Sequence, residues 1–275
     1  VPVRLLARLL EAPAAGFVTT VHGYEGAGRG FSVRFRDRLD DWPGRVTDVR
    51  MEDPIRYARG DPVEAWSFRA LALDARPAVD AAVADATPES AAYDALSPAD
   101  LLADEHLLGE AFGLLVAAHY RTEPDDLARL LDAPNVHVRA LRHEGHVASV
   151  ALLAREGGLD AATRRTSYEG ARIRGNLLPD VLTSQLRDED AGAPVGVRVV
   201  RIATHAAVRS RGLGSRLLRE VAREWGAEGT AGASGRDGTR EGDGDPGRAR
   251  VDWLGVAYGA TPELVDFWAR NGYET

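Results

Sequence analysis

The sequence contains no cysteine. That excludes a disulfide framework, a thiolate zinc site, an iron–sulfur cluster and a cysteine nucleophile, and it suits a reducing compartment. It contains no lysine either, so all 34 basic residues are arginine. A Walker A loop needs Gly-Lys-Ser/Thr, so none lies in this chain. Schiff-base lysine chemistry is excluded for the same reason. No apolar run reaches the ~20 residues of a membrane span; the expected location is the cytoplasm, with no membrane partner.

What is present is acidic. The 275 residues carry 42 Asp and Glu, for a net charge of -8. An Arg-only chain rich in Ala, Gly and Asp implies a GC-rich genome, and surface carboxylate keeps a protein soluble at high salt. A salt-loving microbe is the expected source. The charge balance argues against strong phosphate attraction by this stretch. The length allows one large domain or two ordinary ones. The chain opens on Val1 and stops at Thr275, just after a helix pattern, and is read as a fragment of a longer protein.

Residues 3–11 read as a helix end, and 17–21 and 31–35 as strands on either side of a glycine-rich turn. Residues 36–62 are charged. The Ala/Asp/Pro-rich segment 74–98 reads as a linker or weak helix. Ser97 and Pro98 supply N-cap and N1 signals for a helix to about His119, and 125–132 suggest a second. Val136 to Leu141 and Val147 to Leu153 are strand-like, joined by a turn at His143-Glu144-Gly145-His146. Val197 to Thr204 is the strongest strand pattern. A helix follows from Gly214 to Trp225. Residues 226–249 hold almost nothing apolar and read as a mobile insert. Val251 to Tyr258 is another strand. Thr261 and Pro262 open a last helix that Asn271-Gly272 ends. This order predicts an α/β fold with a mixed sheet.

The chemically informative stretch is Val199 to His205 followed by Arg209-Ser210-Arg211-Gly212-Leu213-Gly214-Ser215. It is a strand, a short loop, then Arg-x-x-Gly-x-Gly opening an amphipathic helix. Glycines let backbone approach a ligand closely, and a helix N-terminus favours negative charge. A tight strand–helix turn would use the same glycines. Three flanking arginines, Arg201, Arg209 and Arg211, favour an anion site.

Arg-x-x-Gly-x-Gly after a strand resembles the pyrophosphate loop of the GNAT acetyltransferases. The resemblance narrows with Gly16 to Phe31, Pro54-Ile55-Arg56-Tyr57-Ala58, Ala118-His119-Tyr120-Arg121-Thr122, Arg174 to Pro179, Arg198 to Ala203 and Phe267-Trp268-Ala269-Arg270-Asn271-Gly272-Tyr273. In that order these segments are similar to the tRNA(Met) cytidine acetyltransferase family. The likeness covers nearly the whole chain except 74–95 and the 226–249 insert. It implies residues 1–65 as the end of a RecA-like, helicase-like ATPase module. It implies 66–275 as a GNAT domain with a mixed central sheet, truncated at its carboxyl end.

The implied reaction is acetyl transfer from acetyl-CoA to the N4 amine of cytidine in tRNA, with rRNA a further candidate substrate and ATP with Mg used by the helicase-like part. By the same resemblance Ile202, Ala203, Thr204, Arg209, Ser210, Arg211, Gly212, Leu213, Gly214 and Ser215 bind acetyl-CoA. Glu263 and Arg270 contact it from the last helix, and Arg29 contacts ATP. Backbone N–H groups after Ile202 are the oxyanion candidates. His205 is the candidate proton acceptor. Where many GNAT enzymes place a tyrosine acid, this chain has Trp268, which reads as core, so Tyr258 is the candidate donor to the thiolate. No metal site is assigned. Two other readings stay open: a GNAT enzyme acting on protein amines, which the helicase-like segment disfavours, and a non-catalytic RNA- or nucleotide-binding scaffold, which the intact Arg209, Gly212 and Gly214 disfavour.

Overall fold

The computed structural model describes residues 44–47, 49, 55, 58–118, 124–226 and 250–274. The expectations for residues 3–35, Arg29 included, and for 227–249 lie outside the described residues.

Five strands pair into one sheet: β1 (Ala92–Leu96), β2 (Val136–His143), β3 (His146–Gly157), β4 (Val195–Thr204) and β5 (Trp253–Val256), side by side in that order. The first four are antiparallel, and β5 joins β4 in parallel. A parallel pair needs a crossover, and helix α8 (Leu213–Glu224) lies within it. The sheet is mixed, as the sequence order predicted. Between β2 and β3, Glu144 and Gly145 take left-handed φ values of 49° and 90°. That is the two-residue turn whose twist matches its strands.

The other helices are α1 (Pro62–Ala70), α2 (Asp80–Val83), α3 (Pro98–Ala103), α4 (Glu105–Ala118), α5 (Pro124–Asp132), α6 (Ala161–Tyr168), α7 (Leu177–Leu186) and α9 (Pro262–Arg270). Two expectations need correction. The helix predicted from Ser97 to about His119 is two helices. Asp104 is extended, with φ -127° and ψ 91°, and its carboxylate accepts the N–H groups of His106 and Leu107 at 3.0 Å each. It therefore starts a new helix as a cap does. The 74–98 segment is not a linker. It contains α2 and edge strand β1, and Ala78, Val83, Ala86 and Ala91 are buried. Small side chains let this segment lie close on the sheet, and their low hydrophobicity concealed it.

Each face of the sheet carries its own core. Leu101, Phe112, Leu115 and Leu130 of α3, α4 and α5 pack with Val138 and Val150 on one face. Leu213, Leu217 and Val221 of α8, with Trp225 and Trp268, pack with Leu141, Leu153, Val197 and Val199 on the other. Burial of such side chains stabilises by roughly 1.5–3 kcal/mol each. Polar clasps fix the layers. Glu224 of α8 accepts from Arg139 of β2 at 2.6 Å and from the Tyr93 hydroxyl of β1, and the Arg139 guanidinium lies 4.6 Å from the Trp225 ring centre. Burial, and then the hydrogen bond to Glu224, push the Tyr93 hydroxyl above its ordinary pKa.

Candidate functional site

Strand β4 changes character halfway along. Its first part is paired on both sides: Gly196 to Val199 face Trp253 to Val256 of β5, and Val195 to Val199 face Gly157 to Leu153 of β3. At Gly196 a Cβ would lie 1.8 Å from the Trp253 ring, so glycine is what lets β5 close on β4 there. Beyond Val199 the β5 partner stops. Among the described residues, Val200 to Thr204 have a strand neighbour on the β3 side only.

A β-bulge marks the change. The register passes from Leu153 opposite Val199 to Leu152 opposite Arg201, leaving Val200 without a partner. The extra residue resets the alternation. Val197, Val199 and Ile202 pack in one core, whereas Val200 and Ala203 pack in the other. Backbone groups shift phase as well. Val195 accepts from Asp252 N–H on the β5 side at 2.7 Å, but His205 donates to Ala148 on the β3 side at 2.9 Å. By antiparallel alternation Ala203 therefore faces β3, and Ile202 and Thr204 turn their N–H and C=O groups to the open edge.

The loop after β4 carries the glycines of the candidate anion site. Ser210 and Gly212 have φ of 61° and 88°. Gly212 is the N-cap of α8 and makes no side-chain capping bond. The first intrahelical donor is Arg216, to Gly212 at 2.9 Å. The N–H groups of Leu213, Gly214 and Ser215 thus have no acceptor within the helix. A Cβ on Gly214 would sit 3.5 Å from Thr204 Oγ1 and 3.6 Å from Phe267, so the strand end, the α8 start and α9 meet there. Glu263 and Arg270 lie four residues before and three after Phe267, on the same side of α9.

The three arginines do not act alike. Arg201 pairs with Asp126 at 2.9 Å. Arg211 donates to the Ala84 carbonyl at 2.5 Å. Arg209 is exposed and makes one long contact, 3.5 Å to the Thr204 carbonyl; it is the flanking cation most available to a ligand. Arg270 donates to the Asp266 carbonyl of its own helix at 3.1 Å. The Glu263 carboxylate is held below its ordinary pKa by its own backbone N–H and then by the Thr261 hydroxyl.

His205 requires a correction. It is 3% exposed. Its Nε2 lies 2.8 Å from the Ala78 carbonyl, and its Nδ1 accepts from Ala207 N–H at 3.3 Å. A neutral imidazole has one donor and one acceptor, and both are used. His205 fastens the loop to residue 78 through Nε2, and its Nδ1 faces Ala207 N–H and, at 4.0 Å, the Asp80 carboxylate, so both ring nitrogens are engaged. Tyr258 lies two residues beyond β5, on the segment that departs from β4, with its ring centre 5.9 Å from that of Trp268. Trp268 is buried, as expected for core, among Tyr258, Phe267 and Tyr273.

Sequence reasoning missed the clasp that holds the closed half together. Glu156, buried on β3, pairs with Arg198 of β4 at 2.7 Å and accepts Leu178 N–H of α7 at 2.9 Å. Asn176 accepts Gly157 N–H at 2.8 Å. Both anchor residues 174–179 at the start of α7; Glu156 and Arg198 stand on neighbouring strands but 42 residues apart, so no local spacing signalled the clasp.

The family model for RNA cytidine acetyltransferase NAT10/TcmA, helicase domain, matches residues 1–74. The model GNAT acetyltransferase 2 matches residues 110–235. The chain is 67% identical over 274 residues to the tRNA(Met) cytidine acetyltransferase TmcA of Haloferax volcanii, covering 100% of this chain and 33% of that protein. It is 66% identical to the protein of the same description from Haloarcula marismortui, covering 100% and 32%. The chain thus spans about a third of the length of the curated relatives it matches. Among solved structures, a ribosomal-protein-alanine N-acetyltransferase from Brucella melitensis biovar Abortus 2308 aligns at 11% identity and a TM-score of 0.36, covering 67% of this chain and 92% of that one.

Proposed function

The chain belongs to the tRNA(Met) cytidine acetyltransferase family, and from that premise we propose that its open-edged cleft binds acetyl-CoA and delivers the acetyl group to the N4 amine of a tRNA cytidine. The observation that carries this reading is the coincidence of an unpaired strand edge at Ile202 to Thr204 with an uncapped helix start at Leu213 to Ser215. A group with an amide-containing arm and a pyrophosphate fits both. The arm takes the free backbone groups of Ile202 and Thr204 as a missing strand would. The pyrophosphate takes the N–H groups of Gly212 to Ser215 and the guanidinium of Arg209. Ser210 and Arg211 shape the loop, and Glu263 and Arg270 flank it from α9.

The N4 amine is conjugated with its ring, uncharged and weakly nucleophilic. Positioning and oxyanion stabilisation therefore matter more than removal of a first proton. As nitrogen attacks the thioester carbonyl, the Ile202 N–H, the one on the open edge farther from the pyrophosphate loop, faces the growing oxyanion, while Thr204 holds the arm; Ala203, turned to β3, does neither. Collapse of the tetrahedral intermediate expels the CoA thiolate, which takes a proton from Tyr258. The proton lost from nitrogen leaves through water at the open mouth of the cleft, since His205 is engaged.

We further propose that residues 1–65 and 66–275 belong to the helicase-like and acetyltransferase parts, with α1, which buries none of its residues, as the junction. Arg29 is the proposed contact of this chain to ATP with Mg. tRNA is the proposed RNA, and rRNA a second candidate.

The test has two readouts. Calorimetry on this chain should detect acetyl-CoA binding, lost in Gly214→Glu. Then the 275 residues should replace the matching third of the Haloferax volcanii relative. The chimera, given ATP and tRNA, should form N4-acetylcytidine on nuclease digestion and mass spectrometry. Binding without acetylcytidine, but with acetylated protein amines, would favour the protein-directed reading instead.

A further inference from the structure

Away from the cleft, three side chains converge where α4 meets the β2–β3 hairpin. Glu110 lies one turn after His106 on α4, and His146 is the first residue of β3. The Glu110 side chain is 4% exposed. Its Oε2 accepts Val147 N–H at 2.9 Å. Its Oε1 meets two imidazole nitrogens, His106 Nε2 at 2.9 Å and His146 Nδ1 at 2.8 Å. The rings stand nearly perpendicular, at 83°, with centres 5.8 Å apart. We propose that His106, Glu110 and His146 form a binding site for a divalent transition-metal ion, zinc being the expected occupant, with water completing the coordination.

Three observations support this. The first is the choice of partner. Among the described residues, other buried or half-buried carboxylates pair with arginine: Glu156 with Arg198, Glu224 with Arg139, Glu220 with Arg216. Glu110 receives two imidazoles instead, on one oxygen. The second is distance. Zinc sits ~2.0–2.1 Å from nitrogen and oxygen ligands, which in a tetrahedron puts neighbouring ligand atoms roughly 3.3 Å apart. His106 Nε2 and His146 Nδ1 lie 2.9 and 2.8 Å from Glu110 Oε1, and all three ligand atoms lie within 4.8 Å of one another, so entry of the ion asks the two imidazoles to close on each other by at most roughly 1.5 Å. The third is support behind the ligands. Val147 N–H occupies Oε2 and leaves Oε1 as a single, oriented ligand, the arrangement that tunes metal sites from outside the first layer. Entry of the ion requires the nitrogen of each imidazole that faces Glu110 to give up its proton and turn its lone pair to the metal.

Two imidazoles and a carboxylate select zinc, cobalt, nickel or copper over magnesium. An ion there would tie α4 to the hairpin. Ala148, two residues past His146, accepts the His205 N–H at 2.9 Å, so the tie abuts the loop that opens the cleft.

The experiment titrates untagged, chelator-treated chain with Co2+ and reads the visible absorption of tetrahedral cobalt. One equivalent should bind, Zn2+ should displace it, and Zn2+ should raise the thermal midpoint. Mg2+ should do neither. His106→Ala and His146→Ala should each weaken binding at least tenfold. The His106 side chain is 73% exposed, so its variant reports on binding rather than folding. His143→Ala, whose imidazole contacts Ser90 at 3.1 Å, should bind as the parent does. Absence of cobalt bands at millimolar Co2+ would overturn the proposal. So would binding that survives both ligand variants, or Mg2+ competing on equal terms.

Discussion

The two halves of β4 are made of similar residues and do opposite things. From Val195 to Val199 the strand is enclosed by β3 and β5, pinned by the buried Glu156–Arg198 pair and covered by Trp253. From Ile202 to Thr204 it has one neighbour and presents backbone to the cleft. The bulged Val200 and its neighbour Arg201 lie between the two. Rigidity and a reactive edge therefore share one strand, and a mutation should harm stability or binding according to its side of the bulge.

The largest expected effect lies in the closed half. Glu156→Ala leaves Arg198 charged, 15% exposed and unpaired, and removes the acceptor of Leu178 N–H. A loss of about 3–5 kcal/mol is expected, read from denaturant unfolding. A loss below ~1 kcal/mol would mean the pair does not hold this half together.

The open half should respond in affinity alone. Gly214→Glu puts a carboxylate where the pyrophosphate is proposed to meet backbone. Acetyl-CoA affinity should fall at least about a hundredfold, with the circular dichroism spectrum and unfolding midpoint unchanged. Equal affinity in parent and variant would remove the cofactor from this loop.

His205→Gln sharpens the boundary. Glutamine keeps an N–H donor for the Ala78 carbonyl but cannot act as a base near neutral pH. Turnover in the chimera should stay within about threefold, because a general base contributes ~10²–10⁴-fold. A hundredfold drop in a folded variant would return His205 to catalysis.

The smallest effect concerns Tyr273, whose hydroxyl is buried without a hydrogen-bond partner among the described residues. Burial raises its pKa from the ordinary 10.0 to about 12. A raised folded-state value means the contribution is full below pH 10 and is lost as pH rises towards 12. Tyr273→Phe should leave neutral-pH stability unchanged or raise it by about 1 kcal/mol. It should also flatten the decline between pH 10 and 12 in thermal melts.

Much of this was legible in the sequence, for physical reasons that also explain the rest. Val197 to Thr204 is a dense β-branched run, and Glu144-Gly145 is a strong turn signal, so those strands and their hairpin were predictable. The glycine loop that opens α8 was visible because glycine and helix-start chemistry are local. The bulge was not: one added residue leaves an apolar run looking continuous. β1 was hidden by alanine. Arg201 and Arg211 looked equivalent to Arg209 until Asp126 and the Ala84 carbonyl claimed them. His106 and Glu110 have a visible helical spacing, but His146 joins them only through the fold.

The bulge also bears on self-association. An unpaired strand edge is a template on which a second chain can add a strand, and short edges resist this. By releasing β5 only after Val199, the fold limits the free stretch to Val200–Thr204, between a bulge and the 3-10 turn at Ala206–Val208. That is long enough for one slender extended ligand. It is too short, and too twisted at its start, to seed a growing intermolecular sheet.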